Sequence, residues 1–64
     1  MRKSETLRRR LKSGMALKNY GLEETAVRMR MSVHQLRRRL ANPERISFEE
    51  LEKFEKVLGI KILA

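Results

Sequence analysis

The sequence predicts an all-α protein, a compact domain of four to five short helices. Three observations carry this. Apolar residues recur at three- and four-residue spacing in separate blocks: Leu7, Leu11 and Met15, then Ala26 and Met29, then Val33, Leu36 and Leu40, then Leu51, Phe54 and Leu58. That is the period of one helix face. Breaks stand between the blocks, at Asn19-Tyr20-Gly21, at Arg30-Met31-Ser32, at Asn42-Pro43 and at Gly59. Finally, 64 residues suffice for one domain at most.

The first helix is expected to start at Ser4, a side chain suited to cap it, with Glu5 in the first turn. Leu7, Leu11 and Met15 form its core stripe, and Ala16 and Leu17 widen it. Gly14 is a soft spot worth up to ~1 kcal/mol against Ala, where the helix bends or breaks. Glu5 can pair with Arg8 or Arg9 for ~0.2–0.5 kcal/mol. Arg8, Arg9 and Arg10 together read as a solvated face rather than a DNA contact. Asn19 and Gly21 tolerate left-handed backbone and stop the helix, while Tyr20 packs its ring on the core.

Residues 22–42 organise the rest. They read as two short helices with a tight break at Arg30-Met31-Ser32. The first starts near Leu22, with Glu23 and Glu24 at the positive end of its dipole, and it supplies Ala26 and Met29. A residue as small as Ala26 lets two helix backbones approach at a steep crossing, as helix-turn-helix geometry requires. Ser32 caps the second helix. At about 100° per residue, Val33, Leu36 and Leu40 share one face. The opposite face carries His34, Gln35, Arg38 and Ala41, with Arg37 on its shoulder and no acid. Long donors opposite an apolar anchor suit a helix that enters the DNA major groove.

Pro43 ends this helix, because it disfavours helical backbone at Asn42. The last helix spans residues 47–58. Ser47 and Glu50 form a capping box, and Ile46 and Leu51 occupy the two positions of a hydrophobic staple. Phe48, Leu51, Phe54 and Leu58 are its expected buried stripe. Gly59 stops it, and Ile60 folds back toward Phe54. Its outer face is rich in Glu, which repels phosphate and places it away from DNA. The tail, residues 59–64, alternates like a strand and either lies on its own core or pairs across a two-fold axis.

Charge is distributed unevenly. The formal net charge is +8. Residues 1–43 hold twelve Lys and Arg against three Glu, whereas residues 44–64 hold four against five. The positive field therefore belongs to the part that contains the helix pair, which suggests a polyanionic partner. No stretch approaches the ~18–20 apolar residues that cross a bilayer, and no apolar run follows Met1-Arg2-Lys3, so neither a membrane partner nor a signal peptide is expected. The chain has no Cys and no Asp, and its single His stands apart from the Glu-rich helix. Neither catalysis nor a metal, cofactor or small-molecule substrate is expected. A domain this small buries only about 60% of its unfolded surface, so dimerisation or ligand helps to stabilise it.

At Ala26, Met29, Met31-Ser32, Leu36 and Leu40, then Asn42-Pro43-Glu44 and Leu51 to Leu58-Gly59-Ile60, the chain resembles a lambda-repressor-like helix-turn-helix domain. The resemblance covers residues 6–60. The most similar subgroup is the small regulators of phages, prophages and integrative elements, including Cro-type proteins. It implies a bacterial or phage-encoded, cytoplasmic transcription regulator, a repressor that binds double-stranded DNA as a homodimer on a pseudo-palindromic operator. Ser32, Val33, His34, Arg37 and Arg38 match positions at which that family reads DNA. Two departures stand out. The family's turn usually has Gly, often at positive φ, where this chain has Arg30. Its first helix of the pair often starts with a phosphate-contacting Gln where this chain has Leu22, so that contact is not carried over.

Among individual residues, Arg38 is the first candidate for base reading, because Arg can donate two bonds to guanine. Arg37 is second, and alternatively takes a phosphate. Gln35 reads adenine or touches backbone. His34 donates to a base or is simply exposed, and Val33 either reads DNA or packs on the core. Lys18, Arg28, Arg30 and Arg39 are candidate phosphate contacts, which position without reading sequence. Two other functions stay open. One is a protein-interaction module, such as an antitoxin or a regulator of another DNA-bound protein, motivated by the tail. The other is a basic RNA binder, although only Tyr20, Phe48 and Phe54 are available for stacking.

Overall fold

Four α-helices follow one another in the computed structural model, which describes residues 3–63. They are α1 (Lys3–Lys18), α2 (Leu22–Met29), α3 (Val33–Ala41) and α4 (Phe48–Leu58), with a 3-10 turn over Pro43–Arg45. Among the described residues there is no strand. The radius of gyration is 10.5 Å, against about 10.7 Å for a compact domain of this length.

One core joins all four helices. Leu11 and Met15 enter it from α1, Ala26 and Met29 from α2, Leu36 and Leu40 from α3, and Phe54 and Leu58 from α4, with Ile46 from the segment before α4. Tyr20 is half-buried against this cluster. Thr25 is also fully buried, and its hydroxyl has no hydrogen-bond partner among the described residues.

The helix ends follow from short-range chemistry. Ser32 and Ser47 each accept a bond from the backbone N–H three residues on, at 3.0 and 3.1 Å. Gln35 and Glu50 return the bond to the cap N–H, at 3.0 and 3.2 Å. Both caps are therefore reciprocal boxes, each satisfying two donors that a helix start leaves orphaned. At the other ends, α1, α2 and α4 close on a left-handed residue: Asn19 at φ 60°, Arg30 at φ 59° and Gly59 at φ 66°. The next N–H then reaches back five residues, Tyr20 to Met15, Met31 to Ala26 and Ile60 to Glu55. This is the Schellman arrangement.

The structure corrects several expectations about α1. Ser4 lies inside the helix, which already includes Lys3, so it is not the cap. The helix neither bends out of helical geometry nor breaks at Gly14. Gly14 is buried, and a Cβ there would stand 3.0 Å from Ile60 Cγ2 and 3.1 Å from Leu58 Cβ. The glycine serves close approach of α1 to the end of α4. Ala16 is exposed and Leu17 is 84% exposed, because two residues beyond Met15 is roughly 200° around the helix. The triplet at 8–10 is not simply a solvated face, and Arg8 turns away from Glu5. Arg8 donates to the carbonyls of Leu40 and Ala41, and Arg10 donates to the carbonyl of Lys61 at 3.0 Å. Arg9 alone of the three is exposed with no partner among the described residues.

Two corrections concern the C-terminal part. Phe48 is 63% exposed rather than buried. It sits roughly 90° around the wheel from the middle of the Leu51, Phe54 and Leu58 stripe, and Ile46 enters the core before it. The described part of the tail does not form a strand. Ile60 folds over Gly14, and one Glu55 carboxylate oxygen accepts bonds from the N–H of Ile62 at 2.6 Å and of Leu63 at 2.7 Å. Of the two placements open for the tail, the described part takes the one on its own domain.

Candidate nucleic-acid interface

The exposed side of α3 is built from its buried side outward. Leu36 and Leu40 are buried in the core, which fixes the rotation of the helix. His34, Gln35, Arg37, Arg38 and Ala41 are then exposed. The face carries cations and amide or imidazole donors, and no carboxylate. Three residues separate α3 from α2, so the two helices form one packed pair with the start of α3 at the surface.

The predicted base-reading residues do not all stand equally free. Ser32 is exposed, but its hydroxyl is engaged as the helix cap. Gln35 spends its side-chain oxygen on the Ser32 N–H, which leaves its amide NH₂ as donor. Val33 is half-buried and packs against the core, so of its two readings the packing one describes this structure. His34, Arg37 and Arg38 are exposed, and their side chains have no partner among the described residues. Arg37 lines a groove of about 750 Å³ with Arg8 and Lys12, over apolar atoms of Met15, Tyr20, Leu22 and Leu40. Arg38 lines another, of about 710 Å³, with Arg39, Asn42 and Arg45.

The predicted phosphate contacts are scattered. Arg39 is half-buried, and its Nε donates to both oxygens of Glu50, at 3.0 and 3.2 Å. This pair ties α3 to α4. Burial raises the Glu50 carboxyl, but the hydrogen bond from Arg39, the Ser47 N–H and the nearby guanidinium charge outweigh it, and the group ends below its ordinary value of 4.5. Arg28 pairs with Glu24 at 2.8 Å and lies 4.5 Å above the centre of the Tyr20 ring. Its charge is thus engaged on the surface of α2. Lys18 runs against the Gly59 position, where its charge suits the negative end of the α4 dipole. Arg30 is exposed in the turn, with a side chain that is not paired among the described residues.

Arg45 and Asn42 were not among the expected contacts, and Arg8, expected on a solvated face, instead reaches the end of α3. Arg45 and Asn42 join Arg38 because the 3-10 turn folds back beside the end of α3. The run from Arg37 to Arg45 held that signal, as basic and polar residues on both sides of a turn-forming Pro. Among the described residues, no cluster of acidic, His or Cys side chains is arranged to hold a metal ion, and no helix is long and apolar enough to cross a membrane. No protein-family model, curated protein or solved structure matches the chain.

Proposed function

We propose that this chain is a lambda-repressor-like helix-turn-helix domain that binds double-stranded DNA through the exposed face of α3. The observation that carries the reading is that face itself: His34, Arg37 and Arg38, free and acid-less, on a helix anchored by Leu36 and Leu40 and set behind a three-residue turn. Arg38 and Arg37 read base edges, with His34 and the Gln35 amide beside them. Arg45, Asn42 and Arg30 take phosphates, and Arg39 contributes charge while its donors hold Glu50. So few base contacts give limited discrimination, so the protein acts as a homodimer on a pseudo-palindrome with half-sites about one turn, ~34 Å, apart. Occupancy of such a site represses transcription by blocking polymerase.

The tail gives less support to a protein-interaction reading than its sequence does, since Arg10 and Glu55 hold it. An RNA reading has little stacking surface near the free cations. Phe54 is buried, Tyr20 lies under Arg28, and Phe48 stands on the Glu-rich helix. Selection from a random duplex library, followed by a salt titration of the winner and competition by single-stranded RNA, tests the proposal. Enrichment of a two-fold-related motif that resists RNA competition is the expected result. A steep salt dependence without any enriched sequence would mean non-specific attraction to phosphate.

A further inference from the structure

We propose that Arg8, on α1, is a positioning residue for α3. Its guanidinium sets the angle at which the face bearing Arg37 and Arg38 is presented, and so the discrimination between base pairs. This rests on the reading of α3 as the DNA-contacting helix.

α3 ends differently from its neighbours. The other three helices each close on a left-handed residue whose successor bonds back into the last turn. α3 does not. Its C-cap, Asn42, has φ −130° and ψ 69°, and Pro43, which follows, has no N–H to donate. The N–H of Asn42 goes to Arg38, that of Arg45 to Asn42 and that of Ile46 to Pro43. Among the described residues, the carbonyls of Leu40 and Ala41 are thus left without the backbone donors that close a helix. Arg8 supplies them. Its Nε donates to Leu40 O at 2.8 Å and its Nη2 to Ala41 O at 2.9 Å.

Two donors on one rigid fork, gripping two consecutive carbonyls, restrain direction as well as distance. The positive charge also lies at the negative end of the α3 dipole. Together with the Arg39–Glu50 pair on its flank, α3 is then gripped from α1 at its end and from α4 along its side. A lysine at position 8 has no fork and holds one carbonyl at a time.

The test compares the 64-residue chain with Arg8→Gln, Arg8→Lys and Arg9→Gln, the last removing an equal charge from an exposed neighbour. Each binds the selected duplex and a panel of single-base-pair variants across a salt series, at a temperature where all are folded by circular dichroism. Arg8→Gln is expected to lower the preference for the selected site by about tenfold, the size of one base contact. Its salt slope should equal that of Arg9→Gln, which keeps the preference, while Arg8→Lys falls between. Uniform weakening across the panel, with a slope smaller by about one, would make Arg8 a phosphate contact and overturn the proposal. The carbonyl carbon shifts of Leu40 and Ala41 give a readout independent of DNA. If Arg8→Gln or Arg8→Lys leaves both unmoved, the grip on α3 is refuted whatever the duplex data show. If those shifts move but the wild type prefers no duplex, the grip stands and the positioning role falls with the functional reading.

Discussion

Arg30 sits between α2 and α3 at φ 59° and ψ 45°, a region that costs an L-residue roughly 1–2 kcal/mol. Its N–H and that of Met31 close α2 on the carbonyls of Val27 and Ala26, so the turn works by accepting a strained residue where glycine suits the backbone. Arg30→Gly should therefore stabilise the fold by up to about 1 kcal/mol, a rise in melting temperature of several degrees for a domain this small. A lower melting temperature would mean that the Arg30 side chain holds more than its backbone loses. The same scale shows what a sequence can reveal. The Ser47–Glu50 box, the Ser32 cap and the stops at Asn19 and Gly59 are legible, because each is written within six residues, whereas Gln35 as the return half of a second box and the left-handed Arg30 emerge only in the folded chain. The link from Arg8 to α3 is not legible, because its acceptors are carbonyls, which every residue owns, more than thirty positions away. Thr25 was unreadable for a related reason, since a hydroxyl in a first turn looks like a surface residue until neighbours cover it.

At the scale of elements, the positions of the helices follow from apolar spacing, and the errors fall on their shoulders. Leu17 and Phe48 are apolar, yet each lies off the axis of its stripe, so composition alone assigns them to a core that geometry denies them. Gly14 shows the opposite case. Its poor helix propensity reads as a break, but the backbone stays helical because the missing Cβ admits Ile60 and Leu58. The tail is joined to α4 by the Glu55 carboxylate, which the N–H groups of Leu63 and Ile62 hold below its ordinary value of 4.5 against a smaller effect of desolvation. A carboxyl depressed in the folded state stabilises above its unfolded value and loses that contribution as pH falls through the folded value. The amide resonances of Ile62 and Leu63 should thus move together as pH drops below about 4.5, while Glu55→Gln removes the transition. Titration of those amides at the same pH in the Gln variant would assign the tail to some other group.

The whole molecule separates its charges along the sequence, with the cationic excess before residue 44 and the Glu-rich outer side of α4 after it. α3 lies within the cationic portion, held by its cap, by Leu36 and Leu40, by Arg8 and by Arg39. The sequence identified its exposed face correctly because burial and helical period fix it together. It overestimated how many nearby cations were free, because ion pairing and stacking depend on which helices meet. His34, Arg37 and Arg38 on that face have no side-chain partner among the described residues, and the proposed function assigns Arg38 the largest share of discrimination. The decisive measurement is binding of Arg38→Ala to a panel of duplexes that differ from the selected site by one base pair. Discrimination is expected to collapse at one base pair per half-site, by ~1–3 kcal/mol, with the other positions unchanged. An equal loss of affinity for every duplex, with no position singled out, would contradict it.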